Sequence, residues 1–439
     1  MKRKKSLIVG LVFLLCLQLC ACGEREPAGN VGQDIPASEK EVLTYGAVVV
    51  APEVKQAIVR FNKLNPDVEI IIKDYGEEAN YDEQTAITQM NLDILSGNAP
   101  DILALPIKFS LSLYAQKGVL EDLYPYIDSD VTLGREIFLP NILEAYEKEE
   151  KLYALPLTFE LHTLLGPKSE LGAEPGWTMD EMIAFADSCE PGSSIFGNAS
   201  RTGVLEVCMA ANWDKLVNWE REGDAFNREE YIRIIEFCSR FAPDDSYVEN
   251  MNYRQRIGEG DLLLFETDLF SGTDGGLYSS LFGEEVTFKG YPTEEGNGTL
   301  IKSYTTISIN ARSEHKESAW KFVSSLMQPD IFDTTSYIRG FSIRKDMLEK
   351  QLQESMTNVA EIPFSIGTDF AVELKPATQE FVDILESLIL SADTLANYDS
   401  SVMSILVEEA STYFSGSKSA QDAADIAQNR IEMYINENR

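Results

Sequence analysis

Glu160 and His162, two residues apart on an alternating apolar run, are a pair whose types could do acid–base work. They lie in Lys151–Pro167, which reads KLYALPLTFELHTLLGP. Residues two apart on a strand share a face, so a carboxylate and an imidazole would stand side by side. Such a pair can move a proton in a hydrolase, or offer two hydrogen-bonding groups to ligand hydroxyls. The two-residue spacing recurs at Glu266 and Asp268, with Phe270 behind them, where an apolar run ends in GEGDLLLFETDLF. In a chain with 72 acidic residues many carboxylates are merely solvated, so position counts for more than type. Trp213 and Trp219 each follow an asparagine. A flat aromatic ring can stack on the C–H face of a pyranose, although most tryptophans fill cores. Trp213 is the candidate contact. Trp219 runs straight into the polar turn Glu220–Asp224.

Other chemistries are excluded by spacing. His162 and His315 are the 2 histidines, and no His-Glu-x-x-His zinc motif, Gly-x-Ser-x-Gly elbow or phosphate loop occurs. Gly258-x-Gly260 and Gly296-x-Gly298 lack the third glycine of a dinucleotide loop, because Leu263 and Ile301 stand there. Asp128-Ser129-Asp130 opens like a calcium loop, but Leu139 occupies the position that needs a bidentate glutamate. No cofactor and no metal is expected.

These residues need a scaffold, and the chain supplies one by alternation. Glu41–Val50 and Val68–Tyr75 read as strands, and Ile102–Leu105 as a short buried one. Between them Val54, Ile58, Phe61 and Leu64 mark one helix face, and Tyr81–Leu95 forms a second helix ended by Gly97. That order predicts a doubly wound, mainly parallel α/β sheet. Ligands of such sheets sit at the carboxyl ends of the strands. Tyr45, Gly46, Tyr75, Gly76, Leu105 and Pro106 are therefore candidate contacts. Helices are expected over part of Phe109–Tyr126 up to Gly118, and over Pro140–Glu150. Later helices are expected at Trp177–Glu181 onward, capped by Thr178 and Glu181, and at Val204–Leu216, Arg228–Phe241, Ser313–Met327 and Ser404–Phe414, with a last one after Ser419.

With 439 residues the chain is long enough for two or three cores. A net charge of -35 argues against nucleic acid and anionic lipid as partners. Met1–Lys5 is basic and Leu7–Leu19 is an apolar run too short for an ordinary membrane span. The following Leu19-Cys20-Ala21-Cys22-Gly23 resembles the lipobox of bacterial lipoproteins. By that resemblance residues 1–21 are a signal peptide and Cys22 is the lipidated mature N-terminus. Residues 22–40, rich in Gly, Pro, Ser and charge, read as a flexible tether. Cys189, Cys208 and Cys238 remain. They allow one disulfide at most, and their spacing does not choose the pair.

Asn98–Ile102 (NAPDI), Lys117–Leu123 (KGVLEDL), Leu152–Pro156 (LYALP) and Gly176-Trp177-Thr178 occur in the order seen in family 1 extracellular solute-binding proteins. The likeness resumes at Ile307–Leu326 and Gly416–Ile431. The chain resembles this family, the receptors of carbohydrate ABC importers, over nearly its whole mature length. The resemblance implies a two-lobe, periplasmic-binding-protein-like fold of type II character, with discontinuous lobes joined by crossings. Residues 41–157 would begin lobe 1 and 158–303 lobe 2. Residues 304–336 would return to lobe 1, and 337–439 would finish lobe 2 and add the C-terminal helices. It also implies a cleft lined by Glu160, His162, Trp213, Glu266, Asp268, Tyr304, Gly340 and Phe341, with the strand-end residues of lobe 1. Arg339 and Arg344 form the basic cluster an anionic ligand would need. The expected function is capture of a sugar and delivery to a permease, by a monomer held on the outer membrane face through Cys22. A surface glycoside hydrolase using cleft carboxylates, and a binder of peptide, polyamine or a metal chelate, are the alternatives.

Overall fold

The computed structural model describes residues 40–438, apart from 190–193, 197–199, 220–224, 242, 245–251, 295–296, 330–338, 358–363 and 368. Residues 1–39, with Cys22 and the tether up to Glu39, lie outside the described part.

Strands β1 (Glu41–Ala47), β2 (Val68–Asp74) and β3 (Ile102–Leu105) form where the apolar runs predict them. Their connections are helical. Pro52–Leu64 starts with proline in its first turn and buries Val54, Ala57, Ile58 and Phe61. Glu83–Ser96 is opened by the Asp82 side chain and closed by Gly97, whose φ of 83° suits a residue without Cβ. A hairpin, β4 (Glu147–Lys148) and β5 (Lys151–Leu152), precedes β6 (Leu155–Pro156) and the long β7 (Thr158–Pro167). Then come β8 (Ser194–Phe196), β9 (Leu262–Leu269), β10 (Val286–Phe288), β11 (Leu300–Lys302), β12 (Thr306–Ile309) and β13 (Phe341–Ser342). The hairpin β14 (Phe364–Ile366) and β15 (Phe370–Val372) and the short β16 (Thr394–Leu395) follow.

Among the described residues, two main sheets are built from these strands. The first has the order β2-β1-β3-β12-β6. Its β1, β2 and β3 are mutually parallel and β12 is antiparallel to both neighbours. The second has the order β16-β11-β7-β9-β8, with β10 and β13 also paired to β7. Here β7 alone opposes its neighbours β9 and β11, while β8 follows β9 and β16 follows β11. Each sheet is thus mainly parallel with one reversed strand.

The core of the first sheet is aromatic. Phe322, from helix Lys316–Leu326, meets Phe61 and Tyr45 edge-on at centroid distances of 5.3 and 6.2 Å. Trp320 of the same helix is buried and donates to Asp130 at 3.1 Å, as its place in the apolar stripe predicts. The capping box at Thr178 and Glu181 is present. Two helices differ from expectation. Val204–Leu216 is broken at Asn212 into Arg201–Ala211 and Trp213–Leu216. Pro140–Glu150 is helical only to Ala145, and the chain then turns through Glu149 and Glu150, both at positive φ, into the β4–β5 hairpin. Pairing of Glu147 and Lys148 with Leu152 and Lys151 outweighs the helical tendency of an exposed acidic segment.

A polar sheet face where three strands cross

Two chain segments pass between the two sheets side by side, and a third lies next to them. β6 continues through Leu157 into β7. β11 continues through Ser303–Thr305 into β12. The third leads from Arg339 into β13. Hydrogen bonds stitch them together. Leu157 N donates to Thr305 O (3.0 Å), Ser303 Oγ to Thr158 O (2.7 Å) and Thr158 Oγ1 to Arg339 O (2.8 Å).

Register then decides which side chains meet. Lys302 lies opposite Glu160, Asp268 opposite His162 and Glu266 opposite Leu164. Because side chains alternate, Glu160, His162, Lys302, Asp268 and Glu266 share one face. His162 Nδ1 is 2.7 Å from Asp268 Oδ1, and Lys302 Nζ donates to Asp268 Oδ2 at 2.9 Å. On its other side His162 Nε2 meets Tyr291 OH at 2.9 Å, with the two rings stacked at 5.3 Å. Glu266 Oε1 lies 3.9 Å from the same nitrogen. Burial pushes the Asp268 carboxyl up, but the His162 hydrogen bond and the charges of His162 and Lys302 outweigh it and hold it at about 2. Burial likewise opposes the charge on Lys302, and Asp268 more than restores it.

Glu160 is different. Its side chain is 1% exposed, and Arg339 Nε approaches Oε1 at 2.6 Å while remaining about half exposed itself. The approach is an ion pair without hydrogen-bond alignment, and Oε2 has no hydrogen-bond partner among the described residues. Burial raises the Glu160 carboxyl, Arg339 partly offsets this, and the nearby Asp268 adds to it. The Arg339 guanidinium carbon lies over the Phe270 ring, 4.1 Å from its centre. Behind it Asp274 is buried and accepts from the backbone N–H groups of Phe270 and Ser271. Burial drives Asp274 up to about 7 despite those bonds.

Around this face stand aromatic and facing groups. Tyr304 is 60% exposed, with Lys302 Nζ 5.2 Å from its ring. Trp213 is buried against Tyr398 at 6.0 Å. Lys108, from the first sheet's side, pairs with Glu83 at 2.9 Å and also acts on Glu206 of helix Arg201–Ala211. Asn397 bridges the two bodies, donating to Ile107 O and Phe109 O and accepting from Leu111 N. Next to it a cavity of about 290 Å³ is lined by Ser110, Ser112, Asn212, Trp213 and Asn397. A neighbouring one of about 630 Å³ reaches Tyr153, Lys148, Asp214 and Trp219.

The structure therefore brings together Glu160, His162, Glu266 and Asp268, and leaves Tyr304 exposed beside them. It removes other candidates. Tyr45 is fully buried against Phe322, and Tyr75 is fully buried with its hydroxyl on Asp93 at 2.8 Å. Gly46 serves close packing, since a Cβ there would meet Pro100 Cγ at 2.4 Å. Phe341 is buried and packs on Phe159 at 5.7 Å. Gly340, at φ 98°, lies where a Cβ would meet Phe159 O at 2.7 Å, so it serves the crossing itself. Leu105 is buried beside Pro106 and Asn397 in a narrow space under the crossings. Tyr45 and Phe341 sit inside their strands' core faces, and Tyr75, past the end of β2, begins the helix Tyr75–Glu78 and packs inward. Arg344, the second member of the basic cluster, is buried and tied to Asp346 at 2.7 Å. Lys302, Tyr291 and Asp274 were missed by sequence reasoning. Lys302 alone carried a signal, as a lone cation closing an apolar run before SYTT.

The sequence profile of the bacterial extracellular solute-binding proteins matches residues 56–358. No curated protein matches the sequence. Among solved structures, the sugar-binding protein MalE of Xanthomonas citri superposes with a TM-score of 0.60 at 14% identity, over 90% of this chain and 98% of that one. An oligogalacturonide-binding protein from Yersinia enterocolitica gives 0.58 at 13% identity, over 90% and 99%. A family 1 extracellular solute-binding protein from Alicyclobacillus acidocaldarius gives 0.55 at 13%, over 91% and 99%. These likenesses extend the two-lobe fold to nearly the whole described chain, and with the profile match the chain belongs to the bacterial extracellular solute-binding proteins.

Proposed function

We propose that this protein is the lipid-anchored receptor of a carbohydrate ABC importer, and that its ligand lies on the polar face at the strand crossings. The observation that carries the reading is Glu160 Oε2, a buried carboxylate oxygen without a hydrogen-bond partner among the described residues, beside an ion pair to the other oxygen. A buried acceptor left unmade is costly, and a sugar hydroxyl is the donor that fits it. Glu266 and Asp268 offer further acceptors and Lys302 a donor in fixed positions, with Tyr304 and Phe270 as ring surfaces. Closure of the two lobes on the sugar would then be read by the permease, because the ligand binds the closed state more tightly. The anchor would be Cys22, on the strength of the Leu19–Gly23 motif.

The charge pattern narrows the ligand. Arg339 is paired with Glu160, and Lys302 with Asp268. The arginine and the lysine of the face are thus each already matched by a carboxylate, so a neutral sugar fits better than a uronate. Calorimetric titration against neutral mono- and oligosaccharides, uronates and polyamines tests this. Saturable binding of a neutral sugar recovered chemically unchanged supports the reading. Turnover of the sugar would favour a hydrolase and overturn it, and a response to polyamines alone would overturn the carbohydrate assignment. Replacing Cys22 by Ala should release the protein from the cell surface.

A further inference from the structure

Two consecutive residues, Asn80 and Tyr81, hold the left-handed backbone conformation, at φ 53° and 63°. Asparagine tolerates that region, but a tyrosine there is an outlier that the surrounding structure must impose. Hydrogen bonds impose it. Asn80 N donates to Glu77 O (3.1 Å), Tyr81 N to Gly76 O (2.7 Å) and Asp82 N to Ala79 O (3.1 Å). The Asp82 carboxylate then caps the next helix by accepting from Thr85 N at 2.8 Å. Gly76 is itself pressed against the loop after β1, since a Cβ there would meet Val48 O at 2.4 Å. The backbone under Tyr81 is therefore fixed, and its ring is not used by the fold. Tyr81 precedes the N-cap of helix Glu83–Ser96, a place where an apolar side chain often packs back onto the first turn. Here it is 81% exposed, and among the described residues it has no ring contact and no side-chain hydrogen bond. Glycine would satisfy this backbone at lower cost, so folding does not account for the tyrosine.

Its location gives it another use. The turn follows β2 at the carboxyl edge of the parallel strands β1, β2 and β3, the edge where such sheets receive ligands. Glu83, two residues on, pairs with Lys108 at 2.9 Å. Lys108 belongs to the segment leaving β3, whose Pro106 and Ile107 share a narrow space with Ile301 and Ser303, the neighbours of Lys302. Asn397 holds the same segment from the second sheet's side, donating to Ile107 O at 3.0 Å and Phe109 O at 2.8 Å. Tyr81 thus stands on the first sheet's margin of the gap that the polar face borders from the second.

We propose that Tyr81 is a stacking platform supplied by the first lobe, which covers the C–H face of a pyranose as the lobes close. The inference rests on the sugar reading of the polar face. That face supplies hydrogen bonds through carboxylates and Lys302, and the exposed ring of Tyr81 supplies apolar surface that the sugar removes from water. The fixed backbone under the ring limits the freedom lost on binding.

The test is calorimetric titration of the full chain and of its Tyr81→Phe and Tyr81→Gly variants with neutral sugars, from glucose and galactose to their di- and trisaccharides. Urea unfolding without sugar accompanies it. Glycine removes the ring and relieves the backbone at once, so this variant folds. Tyr81→Gly should unfold at the parent's urea midpoint or above it, yet bind the sugar at least about fivefold more weakly. Tyr81→Phe keeps the ring and should bind within about twofold of the parent. Equal affinity of Tyr81→Gly and the parent overturns the platform and leaves the sugar assignment standing. A lower urea midpoint for Tyr81→Gly makes the ring part of the fold and likewise overturns the platform. A parent that binds none of these sugars overturns both.

Discussion

Replacing Glu160 by glutamine should move stability and affinity in opposite directions. The change keeps the shape of the side chain and removes its charge. In the unliganded protein the carboxylate is 1% exposed, and Oε2 has no hydrogen-bond partner among the described residues. An amide leaves a polar atom unmet at the same place, but an unmet buried charged group costs more than a neutral one, for which the cost is about 1–3 kcal/mol. Loss of the ion pair is cheap in turn, because Arg339 is 52% exposed and water can take the place of the carboxylate. The unliganded variant should therefore be as stable as the parent or more so, by up to about 2 kcal/mol. The ligand loses a hydrogen bond to a charged acceptor, about 1.5–3 kcal/mol, so its affinity should fall roughly 10- to 100-fold. Urea unfolding without sugar gives the first quantity and calorimetry with sugar the second. A variant that loses about 2 kcal/mol or more of stability yet binds as before would refute the reasoning, since Glu160 would then be a structural partner of Arg339.

Asp274 sets a pH dependence. Its carboxyl rises from 3.8 to about 7 on folding, so the folded state holds a proton that the unfolded chain releases. The stability this contributes is fully present below pH 3.8 and is lost as pH rises through about 7, about 4 kcal/mol in all. Asp274→Asn should flatten that part of the stability profile between about pH 4 and 7, as denaturant unfolding across pH would record. Phe341→Ala should cost about 3–5 kcal/mol of stability, whereas Tyr304→Ala should leave the melting temperature near its parent value and weaken sugar binding. If the two variants exchange these phenotypes, the assignment of core and surface is wrong. Gly340→Ala should destabilise the protein, because its φ is 98° and the new Cβ would press on Phe159 O. Circular dichroism melts check this, and an unchanged melt would show that the crossing relaxes freely.

Local signals carried much of the architecture. The apolar alternation of β1, β2, β3 and β7, the helix face of Val54, Ile58 and Phe61, and the capping box at Thr178 all depend on neighbours within a turn or two. They were legible because side-chain periodicity follows directly from backbone geometry. The two-residue spacing of Glu160 and His162, and of Glu266 and Asp268, likewise placed each pair on one strand face.

The sequence by itself determined the alternating strands and helices, the acidic surface and the pairs of polar groups on β7 and β9. Only the tertiary structure decided which of them face each other. Asp268 meets His162 across 106 positions of chain and Lys302 across 34, and Arg339 reaches Glu160 from a third segment. Tertiary packing likewise buries Tyr45, Tyr75 and Phe341. Strand pairing between distant segments is fixed by the packing of whole faces, and no local pattern in the chain encodes it.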